Sequence, residues 1–222
     1  SDPIKIRPIN HCQPKATTMQ LNAIKQLFHK LNQAGVRYCH WKSNFALDEA
    51  LAGVGDLDLL IAPEWEEAFR SIVFEQNFKE ANDTVGSHLE GVTHYFGLDD
   101  ETGSSVHLHT YTQIYTGETL TKNYQFPIAE ILLNNCTSLY DVQIPTPSAE
   151  MVVFTLRMLA KHGSLLEMAL LFRDRKNIAR EREFLFPRAD LSQSAKLAAE
   201  AMEPVDEAFF LKCMETLQSE ES

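Results

Sequence analysis

The first part of the chain alternates between segments with helical periodicity and segments with β-strand composition. Apolar residues recur at helical spacing from Ile24 to Leu31, which predicts a helix with a capping box at Thr17–Gln20 and an end at Gly35. The segment VRYCHW, residues 36–41, is rich in residues that favour β-structure and predicts a strand.

Further elements follow in the same alternation. They are a short helix over 45–53, a strand over 56–62, a helix over 63–78, two strands over 93–100 and 104–115, and a short helix over 128–134. Gly53 ends the first of these helices, and Pro63 stops the strand and opens the next helix. Glu-Thr-Gly at 101–103 predicts a hairpin between the two later strands.

From residue 147 the pattern becomes helical. Ser148 is the predicted N-cap of a helix that ends at Gly163, and Pro187 and Pro204 divide the remainder. We therefore predict an α+β fold, with a small mixed β-sheet flanked by helices over residues 17–146 and a helical C-terminal domain over 147–222. Residues 1–16, with three prolines, predict an extended arm.

Composition narrows the classes of partner. The chain has 222 residues, 44% hydrophobic and 23% charged, and a net charge of −11, so nucleic acid and anionic membranes are unfavourable partners. No apolar run reaches the roughly 20 residues of a membrane span, and no leader pattern opens the sequence. The four cysteines form no CxxC pair, which indicates free thiols and a cytoplasmic protein.

The segment GVGDLDLLI, residues 53–61, places two aspartates in an apolar strand. Asp56 and Asp58 are two residues apart and therefore share a face of the strand, with their Cα atoms about 6.5 Å apart. Two carboxylates on one face repel, and one would take up a proton unless a cation intervened. Mg²⁺ suits such a pair, because it binds oxygen and often takes only one or two carboxylates plus substrate phosphates. The alternative is a strand end where both acids reach solvent.

The arrangement strand, WKSN, short helix, acidic strand resembles the nucleotidyltransferase superfamily, the fold of DNA polymerase beta. That family has a Gly-Ser turn, about 9–13 residues, and then aspartate–apolar–acid–apolar; here Ser43 is followed by residues 44–55 and Asp56-Leu57-Asp58-Leu59. The resemblance covers residues 20–115 and implies Asp56 and Asp58 as ligands of Mg²⁺ or Mn²⁺, with a nucleoside triphosphate as substrate. HWKSN, DLDLL and the later HLH also resemble bacterial proteins that accompany polysaccharide-biosynthesis or thymidylate kinase-like domains.

Two features depart from the family pattern. Lys42 stands where the family has glycine, although Lys42, Ser43 and Asn44 can all contact phosphate; the alternative for Lys42 is a solvated turn residue. The family also carries a third carboxylate on a neighbouring strand, where this chain has His107 and His109. A histidine can complete a metal site, which we assign to His107, or can act as a general base. Alternatively, both histidines are half-buried and bonded to neighbouring acids.

The C-terminal helices carry a basic stretch in an acidic chain. Arg157 and Lys161 are four residues apart on one helix face and are candidates for phosphate contacts. The cluster between Arg173 and Arg182 is better interpreted as a solvated face with local ion pairs.

The expected function is metal-dependent transfer of a nucleoside monophosphate from a triphosphate to a small acceptor. Two alternatives stay open. One is a catalytically inactive module that binds a nucleotide or a partner, and the other is a metal-dependent phosphoester hydrolase.

Overall fold

The structure is a computed structural model that describes residues 20–81, 90–116, 124–161 and 165–219, without the side chains of residue 161 and residues 165–174. The helices are α1 Asn22–Gln33, α2 Leu47–Leu51, α3 Glu66–Glu75, α4 Ala129–Asn134, α5 Pro147–Lys161, α6 Leu165–Leu185, α7 Leu191–Ala201 and α8 Glu207–Ser219. The strands are β1 Tyr38–His40, β2 Asp56–Ile61, β3 Lys79–Ala81, β4 Val92–Leu98, β5 Ser105–Tyr111, β6 Ile114–Thr116, β7 Tyr124–Phe126, β8 Cys136–Leu139 and β9 Val142–Pro145.

A five-stranded mixed sheet in the order β1-β2-β5-β4-β3 forms the centre of the fold. β2 and β5 are parallel, and the other neighbouring strands pair antiparallel. β6 pairs with β7, and β8 pairs with β9, in separate hairpins. The chain is therefore α+β, with a small mixed sheet and a helical C-terminal region, as the sequence pattern predicts.

One face of the sheet is apolar because alternate residues of β2 point into a single core. Leu57, Leu59 and Ile61 are almost fully buried and pack with apolar residues of α1 and α3. Phe28 of α1 and Phe69 of α3 belong to the same cluster. This packing fixes the orientation of β2, since a shift by one residue would turn its leucines away from the core.

The opposite face changes character along its length. Asp56, Asp58 and Leu60 lie on it, and the register pairs them with His107, His109 and Tyr111 of β5. Leu60, Tyr111 and Trp41 are buried in a second apolar cluster with residues of α5, α7 and α8. The helical region therefore covers one end of this face, and the polar end lies beyond that cover.

The second cluster spans the predicted boundary at residue 146, which lies between β9 and α5. The division into domains over 17–146 and 147–222 stays a prediction. What the clusters show is that the sheet and the C-terminal helices bury apolar surface against each other.

The predicted start of α1 is wrong. Gln20 is not helical and Leu21 is the N-cap, without a side-chain cap of its own; Thr17 lies outside the described residues. The backbone N–H of Ala23 instead donates to Asp99 Oδ1 at 2.8 Å. This bond and those from Thr102 hold the pKa of Asp99 below its usual range. A carboxylate from the β4–β5 turn thus caps a helix that is distant in sequence.

The predicted cap at Ser148 is also wrong, because α5 already begins at Pro147 and the Ser148 hydroxyl accepts from the backbone N–H of Asp190 at 3.1 Å. The β8–β9 hairpin was missed. Its turn residues Tyr140 and Asp141 both have positive φ, 53° and 63°. In a sequence such a turn is usually recognised by Asn-Gly, and Tyr-Asp is not a recognisable turn signal.

Several other expectations are confirmed. Helices end before Pro187 and before Pro204, and Gly103 lies in the β4–β5 turn with a φ of 71°. Cys39, Cys136 and Cys213 are free thiols, whereas Cys12, the arm over residues 1–16 and the predicted helix end at Gly163 fall outside the described residues.

None of the helices in the described part of the chain combines the length and apolar character needed to cross a membrane.

Candidate functional site

The polar end of the sheet brings together two aspartate–histidine pairs on neighbouring parallel strands. Asp58 lies opposite His109, and Asp56 lies opposite His107. We call Asp58–His109 the inner pair and Asp56–His107 the outer pair. The side chain of Asp58 is 14% exposed and that of Asp56 is 53% exposed, so the same pattern of residues meets two different solvent environments.

Lys42 supplies the countercharge of the inner pair. Its Nζ lies 3.0 Å from Asp58 Oδ1, and its position is set further by the Trp41 ring, whose centroid is 4.9 Å away. Burial would raise the pKa of Asp58, but Lys42 and the hydrogen bond with His109 outweigh burial and hold that pKa well below its usual range. The cation beside Asp58 in this structure is therefore an ammonium group of the chain.

His109 and Tyr111 complete the inner surroundings. His109 Nδ1 lies 3.4 Å from Asp58 Oδ1 and 2.9 Å from the Tyr111 hydroxyl, and that hydroxyl donates to Asp58 Oδ1 at 3.3 Å. Burial, with the nearby Asp58 charge, raises the pKa of Tyr111 far above its usual value. Tyr111 therefore stays a neutral donor toward the carboxylate.

The outer pair continues into a third histidine that the sequence interpretation missed. His107 Nδ1 lies 2.7 Å from Asp56 Oδ1, and His107 Nε2 lies 2.9 Å from Nδ1 of His94 on β4. His94 is the register partner of His109 in the β4–β5 hairpin. This pairing follows only once the hairpin is known to turn at Asp99–Ser104, because that turn pairs residues 94 and 109.

Stacked rings fix the orientation of this histidine cluster. The rings of His94 and His109 have centroids 4.2 Å apart, and Phe96 lies parallel to His107 with centroids 4.3 Å apart. Phe96 is 43% exposed.

The contacts with Asp56 and Asp58 show that His107 and His109 bond to neighbouring acids, which is the alternative stated from the sequence. These acids are the two aspartates that the sequence singled out.

The turn after β1 aims Lys42 at the inner pair. Ser43 adopts a left-handed conformation with a φ of 61°. Asn44 is buried, its side chain bonds to His40 Nδ1 at 2.7 Å and to the His40 carbonyl, and its backbone N–H donates to Glu150 Oε1 at 2.9 Å. The polar groups of Asn44, which was predicted to contact phosphate, thus hold the turn in place instead. Lys42 and Ser43 have intermediate exposure and remain accessible.

Behind the turn lies a cluster of ionisable residues: Glu150, Glu181 and Arg157. Burial raises the pKa of Glu150 to about 8, against the opposing effect of the Asn44 N–H, and the charge of Glu181 adds to the increase. Arg157 donates to Glu181 Oε1 at 2.8 Å. Arg157, predicted as a phosphate contact, is therefore committed to a buried ion pair. The side chain of Lys161 lies outside the described part of the chain.

The interpretation of the distal basic residues as a solvated face with local ion pairs holds only in part, because Arg180 is nearly half exposed but pairs with a residue distant in sequence. Arg180 Nη2 lies 2.6 Å from Glu49 Oε1, and its guanidinium lies over the Phe45 ring at 5.0 Å. Both partners of this pair are nearly half exposed. The contact joins α6 to the segment that follows the Lys42 turn.

The donor set suits a hard cation only if a ligand completes it. Within residues 20–81, 90–116, 124–161 and 165–219, no three His, Cys, Asp or Glu side chains are grouped so that they could hold a metal ion among themselves. Both ring nitrogens of His107 have partners, so His107 does not face a cation as it stands. Asp56 and Asp58 nevertheless present oxygens on one face, which fits Mg²⁺ if substrate phosphates supply further ligands.

Comparisons of the chain with protein-family models, with curated protein sequences and with solved structures give no match.

Proposed function

We propose that the protein is a nucleotidyltransferase that transfers a nucleoside monophosphate from a triphosphate to the hydroxyl group of a small acceptor, with Mg²⁺ or Mn²⁺. The observation that carries the proposal is the shared face of β2. Asp56 and Asp58 lie on it two residues apart, next to an ammonium group delivered by the turn after β1. The spacing between Ser43 and Asp56, and the nucleotidyltransferase resemblance, add support.

The chain's own groups have distinct tasks in this proposal. Asp56 and Asp58 would hold the divalent cation, which would supply positive charge to the triphosphate and to the attacking oxygen. With a cation on its two oxygens, Asp58 would no longer need Lys42, whose ammonium group could then bind phosphate as a point charge. Ser43 donates to the same phosphates, and His107 stands in place of the family's third acid by holding Asp56.

The bonds balance simply. The acceptor oxygen forms a bond to the α-phosphorus, and the bond from that phosphorus to the β-phosphate oxygen breaks. Pyrophosphate leaves, and the hydroxyl proton passes to a base or to solvent. Catalysis of this kind consists largely of positioning and charge neutralisation, which ordered carboxylates and an ordered lysine can provide.

Calorimetry tests binding, and pyrophosphate release tests transfer. We expect the purified chain to bind at least one nucleoside triphosphate with Mg²⁺, and to release pyrophosphate when hydroxyl acceptors are added. D56N should abolish metal-dependent binding, whereas D100N, the same change at an exposed turn aspartate, should not. Absence of both binding and metal uptake in the wild type would falsify the proposal.

The second candidate is a binding module that has lost catalysis. It is favoured by one observation: both aspartates already have partners within the chain, in Lys42 and His107. The same assays separate the two functions, because a module binds a triphosphate and releases no pyrophosphate with any acceptor. Release of inorganic phosphate from a phosphoester would instead indicate the hydrolase.

A further inference from the structure

Two imidazole rings on neighbouring strands form a hydrogen-bonded chain that ends on Asp56. His94 Nδ1 lies 2.9 Å from His107 Nε2, and His107 Nδ1 lies 2.7 Å from Asp56 Oδ1. The three residues belong to β4, β5 and β2, which are consecutive in the sheet. The chain therefore depends on strand pairing and not on a loop.

The chemistry of the partners sets the direction of these bonds. An ionised carboxylate only accepts hydrogen bonds, so His107 Nδ1 must carry its proton. In a neutral imidazole the other nitrogen then accepts, so His94 Nδ1 must also carry a proton and donate it to His107 Nε2. When His107 is neutral, both donors therefore point toward Asp56, and that one carboxylate sets the tautomers of both histidines.

Ring contacts leave His94 little room to turn. Its ring stacks on His109 with an interplanar angle of 21° and lies at 18° to His107. Phe96 stacks on His107 at 3°. The orientation of His107, and through it that of the half-exposed Asp56, is therefore determined from β4.

We propose that His94 is a positioning residue for Asp56, acting through His107 to hold one carboxylate oxygen and leave the other aimed at the divalent cation. The inference rests on the proposed function, because it assigns Asp56 to cation binding. Groups bonded directly to a metal ligand, as His107 is, typically change metal affinity 10- to 100-fold when removed; His94 acts one residue further out, so its removal should give an effect at the lower end of that range. His94 touches neither cation nor substrate in this proposal.

The first experiment detects the hydrogen-bonded chain without a metal. Nitrogen-15 NMR of the histidine rings at pH 8.5, above the ordinary histidine pKa of about 6.5, should show wild-type His94 and His107 each protonated at Nδ1. In H94L the His107 Nε2 resonance should shift to the position of an unbonded imidazole nitrogen. A wild-type His94 protonated only at Nε2 would overturn the proposal.

The second experiment measures Mn²⁺ affinity by electron paramagnetic resonance in the presence of a nucleoside triphosphate, because the two aspartates suit a hard cation only when phosphates complete its ligands. H94N keeps a donor near the Nδ1 position and should bind within about threefold of the wild type, whereas its isostere H94L should bind about 10-fold more weakly. In H94Q the side-chain amide lies near the position of Nε2 and not of Nδ1, so H94Q should bind Mn²⁺ as weakly as H94L. H94Q replaces H94L in the comparison if H94L does not fold. Equal affinity of all four proteins overturns the inference.

Failure of the two proposals is distinguishable. If the wild type binds no Mn²⁺ even with a nucleoside triphosphate present, the proposed function fails, and the NMR experiment decides whether His94 holds His107. If the wild type binds Mn²⁺ and H94L binds equally well, the proposed function stands and the role of His94 is wrong.

Discussion

The inner and outer pairs use the same two residue types on the same two strands, yet they neutralise charge in different ways. Asp58 is buried and has a formal countercharge at 3.0 Å in Lys42. Asp56 is half exposed, and its partner is an imidazole linked to a second imidazole. Burial, and not residue type, decides which carboxylate needs a cation from the protein.

The difference teaches where each aspartate's contribution lies. A buried carboxylate without a countercharge is costly, so the inner pair is tied to the stability of the fold. Solvent screens the outer carboxylate, so its geometry can serve a ligand without a large cost in stability. Mutations around Asp58 should therefore lower the stability of the fold, whereas mutations of Asp56, two residues away, should affect binding with little loss of stability.

The largest expected loss of stability comes from removing the inner countercharge. K42M leaves Asp58 buried without its ammonium partner, and we expect a loss of about 2–3 kcal/mol in the free energy of unfolding, measured in urea. K79M, on edge strand β3, should change it by less than about 0.5 kcal/mol. Adding D58N to K42M should recover much of the loss; equal stability of K42M and wild type would show that the ion pair contributes nothing.

Glu150, a buried carboxyl that has no ion pair within the described part of the chain, should respond to pH in the opposite sense to a paired acid. Burial raises the pKa of Glu150 to about 8, whereas the unfolded chain releases this proton near pH 4.3. The glutamate's contribution is thus full below pH 4.3 and is lost as pH rises toward 8, by up to about 1.4 kcal/mol per pH unit.

E150Q lacks this ionisation and keeps an oxygen for the Asn44 N–H. Its stability relative to the wild type should therefore rise between pH 5 and pH 8 in urea titrations. E75Q, at an exposed position of α3, is the control and should show no such trend. A difference between E150Q and wild type that stays constant over this range would contradict the buried-acid interpretation.

A smaller effect should follow from the inner hydroxyl. Y111F removes the donor to Asp58 and the contact with His109 Nδ1, and we expect a loss of about 1 kcal/mol in the free energy of unfolding. Y124F, which alters a 44% exposed tyrosine, should be neutral. Thermal and urea denaturation give the measurement, and a neutral Y111F would mean that the hydroxyl does not support the inner pair.

The smallest effect on stability should come from the outer pair. We expect D56N to unfold within about 0.5 kcal/mol of the wild type, because Asp56 is half exposed. The same variant should lose Mn²⁺-dependent binding of a nucleoside triphosphate in calorimetry. If D56N proved as destabilising as K42M, the contrast between the pairs would be lost.

The sequence predicted which residues share a face more reliably than it predicted their partners. Alternation along a strand sufficed to bring Asp56 with Asp58 and His107 with His109 onto one surface. The countercharge from Lys42 was not predicted, because its direction depends on the left-handed turn at Ser43. That turn is held by Glu150, which is distant in sequence.

His94 and the helix cap at Asp99 escaped prediction for a related reason. Both depend on the register of the β4–β5 hairpin and on contacts across the sheet, which local periodicity does not report. The β8–β9 hairpin was missed because Tyr140-Asp141 occupies a turn that glycine and asparagine normally mark. Local pattern predicted the strands that carry the site, β1, β2, β4 and β5, whereas tertiary contacts determined which side chains meet there.

The contact of Lys42 with both Asp58 and the Trp41 ring has an entropic consequence. A lysine side chain loses up to about 2 kcal/mol of rotamer freedom when it is fixed, and here folding has already imposed that loss. An anion that takes the ammonium from Asp58 therefore meets a preorganised group. Its affinity would be reduced only by the attraction to Asp58 that must be given up, which a second cation arriving with the anion could restore.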